Sequence, residues 1–239
     1  MTGTRRLIIF DFDGVIADSE VVANTVLADV ISELGMPTTL DEAMRLYMGK
    51  RFHEVIAAIE AAVGCPLPED FADRLQTRTL SRFRHDLRLI EGFLGYIEAF
   101  PNLLRCIASS SSAERLALCL ETLTLTKLFG SNVYSASEVS RGKPHPDIFL
   151  HAANKMAVDP SACIVIEDSV TGVQAGVAAG MTVIGLAAAS HIRSGHGKCL
   201  KAAGAHYVAR TFADAQAVTQ LLVSTERGSS FARQFEKGE

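Results

Sequence analysis

Cysteine and tryptophan are scarce in this 239-residue sequence, which contains five cysteines and no tryptophan. The cysteines lie far apart and form no C-x-x-C pair; they are Cys65, Cys106, Cys119, Cys163 and Cys199. This spacing argues against a zinc site, a redox couple or a disulfide framework. We therefore expect a protein of the reducing cytoplasm.

An excess of charge of one sign is also missing. The chain has 23 basic and 27 acidic residues, a formal net charge of −4, and no five-residue run of like charge. Proteins that bind nucleic acid usually carry a basic patch or stripe, which this composition does not indicate. We expect no nucleic-acid partner.

Long hydrophobic runs are absent as well. The weakly apolar segment 175–189 is shorter than the ~18 residues that suggest a bilayer-spanning helix. The opening MTGTRR lacks the apolar stretch and cleavage site of a signal peptide. We expect no membrane partner and no export by a signal peptide. Hydrophobic residues still make up 48% of the chain, enough for a sizeable core in roughly one to two domains.

Residues 17–88 form a block of helical periodicity without a strand pattern. Apolar residues recur every three or four positions from Glu20 to Leu34, and Gly35 follows, which predicts a helix and its end. Thr39 and Glu42 have the spacing of a capping box before a second helix. The pattern predicts two more helices, over 53–63 and 69–84. Four consecutive helices indicate an inserted helical domain.

Short apolar runs in the rest of the chain alternate with helical periods. They cover residues 7–10, 104–108, 163–166 and 183–186. Alternation of this kind predicts an α/β fold: a Rossmann-like open parallel sheet with helices on both faces and a ligand site at the carboxyl ends of the strands. We assign residues 1–16 and 89–223 to this core. The polar stretch 224–239 lacks periodicity and is expected to be a flexible tail.

Two carboxylates follow the first strand in the segment FDFDGV. Asp11 and Asp13 are separated by one residue, so their side chains are expected to point toward the same loop. Gly14 permits the tight turn that this arrangement needs. Taken alone, the segment favours an ordinary Asx-turn after a strand, because D-x-D-G is short.

Other polar residues follow the later strands. The run from Ser109 to Ser112 lies at a strand-to-helix junction, where N–H and hydroxyl groups bind an anion or simply cap the helix. Lys143, in GKPHPDIF, lies in a segment stiffened by two prolines, where it either meets a phosphate or remains solvated. Glu167 and Asp168 end an apolar strand, and a bound cation would relieve the cost of burying them.

The order of these elements resembles the haloacid dehalogenase superfamily over nearly the whole chain, including a helical cap inserted after the first strand. The segments DFDGVIADSE, IASSSS, GKPHPDIF and IEDSVTGVQAG are similar to its four motifs. The last two are most similar to the branch of β-phosphoglucomutase-like proteins and sugar-phosphate phosphatases. The resemblance implies a Mg²⁺-dependent phosphatase that acts on a small phosphorylated metabolite, with a sugar phosphate as the favoured substrate.

The resemblance also implies a role for each motif residue. Asp11 is the nucleophile that becomes an aspartyl phosphate, and Asp13 is the general acid and base. Mg²⁺ is held by Asp11, Asp168, the main-chain carbonyl of Asp13, and Glu167 directly or through water. The phosphoryl oxygens are bound by Ser109, Ser110 and Lys143.

Substrate choice is assigned to the cap, with Lys50, Arg51 and Arg78 as candidate residues. Three other functions stay open: a phosphohexomutase of the β-phosphoglucomutase type, a 2-haloacid dehalogenase and a non-catalytic scaffold. Phe52 and Ala23 occupy positions where the mutase carries an arginine and a histidine, which argues against mutase activity. The sequence leaves the choice between a monomer and a weak dimer open.

Overall fold

The computed structural model describes residues 5–48, 50 and 52–235, and these residues build a six-stranded sheet. All of its strand pairs are parallel, and the strands lie in the order β3-β2-β1-β4-β5-β6. The strands are Leu7–Phe10 (β1), Leu104–Ser109 (β2), Val133–Ser135 (β3), Cys163–Glu167 (β4), Thr182–Leu186 (β5) and Tyr207–Ala209 (β6). The predicted α/β class and parallel sheet are confirmed.

Four helices between β1 and β2 pack around a core of their own. They are Glu20–Glu33 (α1), Leu40–Tyr47 (α2), Phe52–Val63 (α3) and Phe71–Asp86 (α4). Within the described residues, their apolar faces meet around Ile31, Tyr47 and Ile59. Thr39 forms the predicted capping box with Glu42. These helices occupy the position of the predicted cap. The chain enters and leaves them side by side, since Ala17 forms a bridge with Leu89.

The remaining helices cover both faces of the sheet. They are Phe93–Ala99 (α5), Ala113–Thr122 (α6), Thr126–Phe129 (α7), Asp147–Lys155 (α8), Val170–Ala178 (α9), His196–Ala202 (α10) and Phe212–Phe235 (α11). Successive strand residues point to opposite faces, so Phe10 packs against α5 and α7 whereas Ile9 belongs to the core under α8 and α9. The layered arrangement predicted from the alternating pattern is therefore present.

Two strands of the sheet and the full length of the last helix are not evident from the sequence. The strands β3 and β6 are three residues long, too short to produce a recognisable apolar run. The backbone of α11 is helical to Phe235, so the helix continues into the stretch 224–239 that is expected to be a flexible tail, of which residues 236–239 lie outside the described residues. Phe212, Ala215 and Thr219 anchor the first turns in the core, and a helix once started adds further turns at low cost.

The centre of the sheet positions the site. Phe10 at the end of β1 lies opposite Ile107 on β2 and Ile166 on β4, so these three strands end within two residues of one another. The amide of Asp11 donates to the carbonyl of Ile166 over 3.0 Å and extends this pairing by one residue. Among the described residues, no helix is both long and apolar enough to cross a bilayer.

Candidate active site

The predicted site residues of the core meet at the carboxyl edge of the sheet. Asp11 directly follows β1, Ser109 ends β2, and Glu167 and Asp168 lie at the end of β4. Each of these residues is at most 7% exposed. Because parallel neighbouring strands end at one edge, residues that are 157 positions apart in sequence lie in one buried cluster.

Lys143 lies at the centre of this cluster. Its Nζ donates to Asp11 Oδ1 over 2.6 Å, to Glu167 Oε1 over 2.7 Å and to the carbonyl of Ala108 over 3.2 Å. The same ammonium lies 4.9 Å from the centre of the Phe149 ring. Burial alone would lower the pKa of Lys143, but Asp11 and Glu167 raise it above its ordinary value. The lysine is therefore charged and held by its carboxylate partners.

Three carboxylates of the cluster fit a hard divalent cation. One oxygen from each of Asp11, Glu167 and Asp168 lies within 4.8 Å of the other two. Burial raises the pKa of Asp11 to about 7, against the opposing charge of Lys143. The pKa of Asp168 is also raised by burial, with Glu167 and Asp11 adding to the effect. One ammonium does not balance three buried carboxylates, and their oxygens are the ligands that Mg²⁺ prefers.

Two glycines make room for these carboxylates. Gly14 has a φ of +78°, and a Cβ there would collide with the carboxylate of Asp168. A Cβ at Gly172, in the first turn of α9, would collide with the carboxylate of Glu167. Gly14 is thus required for its left-handed backbone and for space, and Gly172 for space alone.

Asp13 lies in a different environment from Asp11. Its Oδ1 accepts hydrogen bonds from Ser19 Oγ over 2.5 Å and Arg115 Nη2 over 2.6 Å, and its Oδ2 accepts one from Ser111 Oγ over 2.6 Å. Burial would raise the pKa of Asp13, but Arg115 and the two hydroxyls lower it below the ordinary value. In the structure Asp13 is therefore an ionised and fully paired carboxylate.

The pKa shifts of the two aspartates are opposite to the order that the reaction needs. The resemblance implies an ionised Asp11 and a protonated Asp13 at the moment of attack, whereas the pKa of Asp11 is raised and that of Asp13 is lowered. A cation among the three carboxylates would favour the ionised form of Asp11. Asp13 has the protonation state suited to a general base.

The serines of this run occupy different positions, of which only one is shown to cap a helix. Ser109 is buried at the edge of the sheet, where its Oγ accepts a hydrogen bond from the amide of Ser111 over 3.1 Å. Ser110 is exposed at the same junction. Ser112 is the N-cap of α6 and accepts from the amide of Arg115, so the capping alternative holds for this serine.

Of the predicted specificity residues of the cap, Arg78 lies away from this cluster. Arg78 Nη1 donates to Glu33 Oε1 over 2.6 Å, at the end of α1 opposite to Glu20. A helix of this length spans about 20 Å, which separates this pair from the Asp13 end of α1. Arg78 therefore belongs to an ion pair on the surface of the cap, where Glu33 already balances its charge. Lys50 is exposed, and Arg51 lies outside the described residues.

Several residues near the cluster were missed by sequence reasoning. Ser19 and Arg115 bind Asp13. The pKa of Glu20, a partly buried residue at the start of α1, is raised by desolvation and by the charge of Asp13. His191 Nε2 lies 3.6 Å from Asp168 Oδ2, and His196 Nε2 lies 2.6 Å from the main-chain oxygen of Asp168. Both histidines follow β5 in the sequence. A position after the carboxyl end of a strand is the feature from which their place near the site could have been predicted.

Comparison with known proteins agrees with this arrangement. A sequence profile of the haloacid dehalogenase-like hydrolases matches residues 8–186. The chain is 28% identical over 185 residues to 6-phosphogluconate phosphatase of Escherichia coli K12, covering 77% of this chain and 83% of that protein. It is 30% identical over 190 residues to hexitol phosphatase B of the same strain, covering 77% and 85%.

A solved structure is similar over a larger part of the chain. A conserved haloacid dehalogenase-like protein of unknown function from Agrobacterium tumefaciens is 35% identical and superposes with a TM-score of 0.82, over 92% of this chain and 99% of that one. The predicted family and its layered core are thus confirmed. The chain belongs to the haloacid dehalogenase-like hydrolases, in the branch that contains the sugar-phosphate phosphatases.

Proposed function

We propose that the protein is a Mg²⁺-dependent phosphatase that hydrolyses a small phosphomonoester, favouring a sugar phosphate, through an aspartyl-phosphate intermediate. The observation that carries the proposal is the buried cluster in which Lys143 binds Asp11 while Asp11, Glu167 and Asp168 present oxygens to one point. The names of two relatives, a 6-phosphogluconate phosphatase and a hexitol phosphatase, support the substrate class. The proposal includes a cytoplasmic location and a monomer or weak dimer.

In the first step, an Asp11 carboxylate oxygen attacks phosphorus. The new P–O bond forms as the bond between phosphorus and the ester oxygen breaks, and Asp13, which must enter this step protonated, delivers its proton to the departing oxygen. Lys143, Ser109 and Ser110 bind the remaining phosphoryl oxygens and place phosphorus near Asp11. When bound by Asp11, Glu167 and Asp168, Mg²⁺ supplies positive charge that offsets the repulsion between carboxylate and phosphate.

In the second step, Asp13 takes a proton from water. The water oxygen bonds to phosphorus, the bond between phosphorus and Asp11 breaks, and inorganic phosphate leaves. Asp13 is held ionised by Arg115, Ser19 and Ser111, which is the form that a general base needs. The proton gained here replaces the one that Asp13 donated in the first step.

A phosphohexomutase is less well supported than a phosphatase. Phe52, at the start of α3, is 51% exposed, and Ala23 is a half-buried residue of α1. Neither side chain carries a hydrogen-bonding group with which to hold a phosphorylated intermediate in place. A 2-haloacid dehalogenase has no use for Asp13 as an acid or for Asp168 as a metal ligand, and both carboxylates are present at this site.

The test is Mg²⁺-dependent release of inorganic phosphate from p-nitrophenyl phosphate and from a panel of sugar phosphates. We expect Asp11→Asn to lower the turnover rate by about 10⁴-fold or more, since the nucleophile is lost. The matched control is Asp147→Asn, which alters an aspartate paired with Arg141 at the surface and should leave turnover unchanged. Chelation of the metal should also stop turnover.

Other outcomes would point to the alternatives. Isomerisation of a hexose phosphate without phosphate release would indicate the mutase. Release of halide from a 2-haloacid without Mg²⁺ would indicate the dehalogenase. A folded wild-type protein that acts on none of these compounds would favour the scaffold and contradict the proposal.

A further inference from the structure

We propose that Arg115 is a positioning residue whose guanidinium holds the Asp13 carboxylate at the site and couples it to the cap helix α4. The inference rests on the proposed phosphatase function and extends it, since it concerns how the general acid and base is placed. Neither the four sequence motifs nor the metal cluster includes this arginine.

The first observation is how Asp13 is held. Both of its carboxylate oxygens are engaged, Oδ1 by Arg115 and Ser19 and Oδ2 by Ser111. Arg115 and Ser111 come from the core at the start of α6, whereas Ser19 lies where the chain enters the cap. Arg115 supplies the only one of these three donors that carries charge. Charge-assisted hydrogen bonds of this length are about twice as strong as neutral ones.

The second observation is what lies on the other side of the guanidinium. Arg115 Cζ lies 4.8 Å from the centre of the Phe83 ring, and Phe83 is a fully buried residue of α4. A planar guanidinium stacks on an aromatic face in a way that an ammonium does not reproduce. Arg115 therefore touches the cap through Phe83 and the reacting region through Asp13.

The Arg115 side chain has few other polar contacts within the described residues. The Nε of Arg115 is buried and has no hydrogen-bond partner within the described part of the chain. Among the described residues, Arg115 forms an ion pair with Asp13 alone. The guanidinium thus contacts Asp13 on one side and the Phe83 ring on the other, and the charge of Glu20 also acts on it. A shift of α4 relative to α6 would move the group that orients Asp13.

This placement affects the acid step more than phosphate binding. Lys143 and Ser109 bind the phosphoryl group without Arg115, so its loss should leave substrate affinity nearly intact. Without Arg115 the pKa of Asp13 would rise, which favours its acid form, but a displaced carboxyl cannot reach the departing oxygen. Protonation of that oxygen matters most for a poor leaving group. A substrate with an alkyl leaving group should therefore depend on Arg115 far more than p-nitrophenyl phosphate does.

The experiment measures kcat and KM on p-nitrophenyl phosphate and on a sugar phosphate that the wild-type enzyme hydrolyses. For Arg115→Met we expect kcat on the sugar phosphate to fall by about 100-fold, and on p-nitrophenyl phosphate by less than about 10-fold, with KM little changed. Asp13→Asn should show the same preference for the good leaving group. Arg115→Lys should recover part of the loss, and Phe83→Leu should show a smaller loss of the same kind.

The matched control is Arg105→Met, which removes a half-buried arginine that donates to the carbonyls of Phe100 and Pro101, away from the site. Arg105→Met should change kcat on both substrates by the same factor. An equal effect of Arg115→Met on the two substrates, or none, would overturn the positioning role while wild-type turnover leaves the phosphatase proposal standing. If Arg115→Met does not fold, Arg115→Lys and Phe83→Leu replace it in the test. The quantity compared is again the fall in kcat on the sugar phosphate relative to the fall on p-nitrophenyl phosphate. A wild-type enzyme without phosphatase activity overturns both proposals.

Discussion

Two ion pairs of equal length show how differently the core edge and the cap use charge. Lys143 and Asp11 lie 2.6 Å apart, with 5% and 10% of their side chains exposed. Arg78 and Glu33 also lie 2.6 Å apart, but 44% and 42% of their side chains are exposed. Water screens the second pair, whereas the first has given up its hydration and depends on its partners. The distance between the charged atoms therefore does not by itself show how much each ion pair contributes to stability.

The difference extends to the two regions as a whole. At the core edge, buried carboxylates converge because the strands that carry them end together. In the cap, charged residues lie on outer helix faces and pair with their neighbours, as Arg74 does with Glu33 and Arg82 with Asp86. A charge at the core edge is therefore costly to remove, and a charge on the cap surface is not.

The strongest test of this comparison is Lys143→Met. It leaves Asp11 and Glu167 buried without their cation, and we expect the free energy of unfolding to fall by about 3–5 kcal/mol. The loss should be larger at pH 8 than at pH 6, because Asp11 avoids the uncompensated charge by taking up a proton at the lower pH. Urea denaturation at the two pH values measures this, and phosphatase activity should disappear. A loss below about 1 kcal/mol would place Lys143 with the surface pairs.

A smaller effect is expected from Mg²⁺ binding to the core edge. At a concentration 100 times the dissociation constant, Mg²⁺ should stabilise the protein by about 2.7 kcal/mol. Thermal unfolding would then shift upward by several degrees.

The pH dependence of this shift follows from Asp11. Its pKa is raised to about 7 when folded, so without metal the folded state binds the extra proton and loses that stability as pH rises from about 4 to 7. The gain from Mg²⁺ should therefore grow with pH over this range. Asp168→Asn should remove most of the gain, and a shift independent of both pH and Asp168 would contradict the assigned ligands.

The smallest effect is expected for Arg78→Ala in the cap. Removal of an exposed pair should change the free energy of unfolding by no more than about 0.5–1 kcal/mol, and the change should shrink in high salt. The catalytic constants should stay within about two-fold. Urea denaturation at low and high salt, together with kcat/KM on the preferred substrate, provides the measurement. A large rise in KM would restore Arg78 as a substrate-binding residue.

Much of the fold could be predicted from the sequence, because the patterns that specify its strands and helix ends involve residues only a few positions apart. The strand Leu7–Phe10 was predicted with its observed bounds, since a fully buried strand requires an uninterrupted apolar run. The capping box at Thr39 follows from two residues three positions apart. The strands β3 and β6 were missed because three residues carry no measurable period. The helical backbone beyond residue 223 was missed because a packed first half extends a helix that the local residues do not specify.

Site residues divide in a similar way. Asp11, Asp13, Lys143 and Asp168 stood out because each follows a strand or lies in a stiffened segment with a chemical reason for its type. Arg115 gave no such signal, because an arginine in the first turn of an amphipathic helix is most often solvated. The specificity role expected for Arg78 rested on charge alone, and the structure pairs that charge with Glu33.

The amino-acid order by itself determined which strands are buried, that a helical block interrupts the core after β1, and that carboxylates follow two of the strands. Those properties depend on periodicity and on neighbours a few positions apart. Only the tertiary structure decided that Lys143 lies between Asp11 and Glu167, that Arg115 and Ser19 hold Asp13, and that two histidines reach Asp168. These contacts join residues far apart in the chain, and their strength comes from burial, which no local pattern encodes.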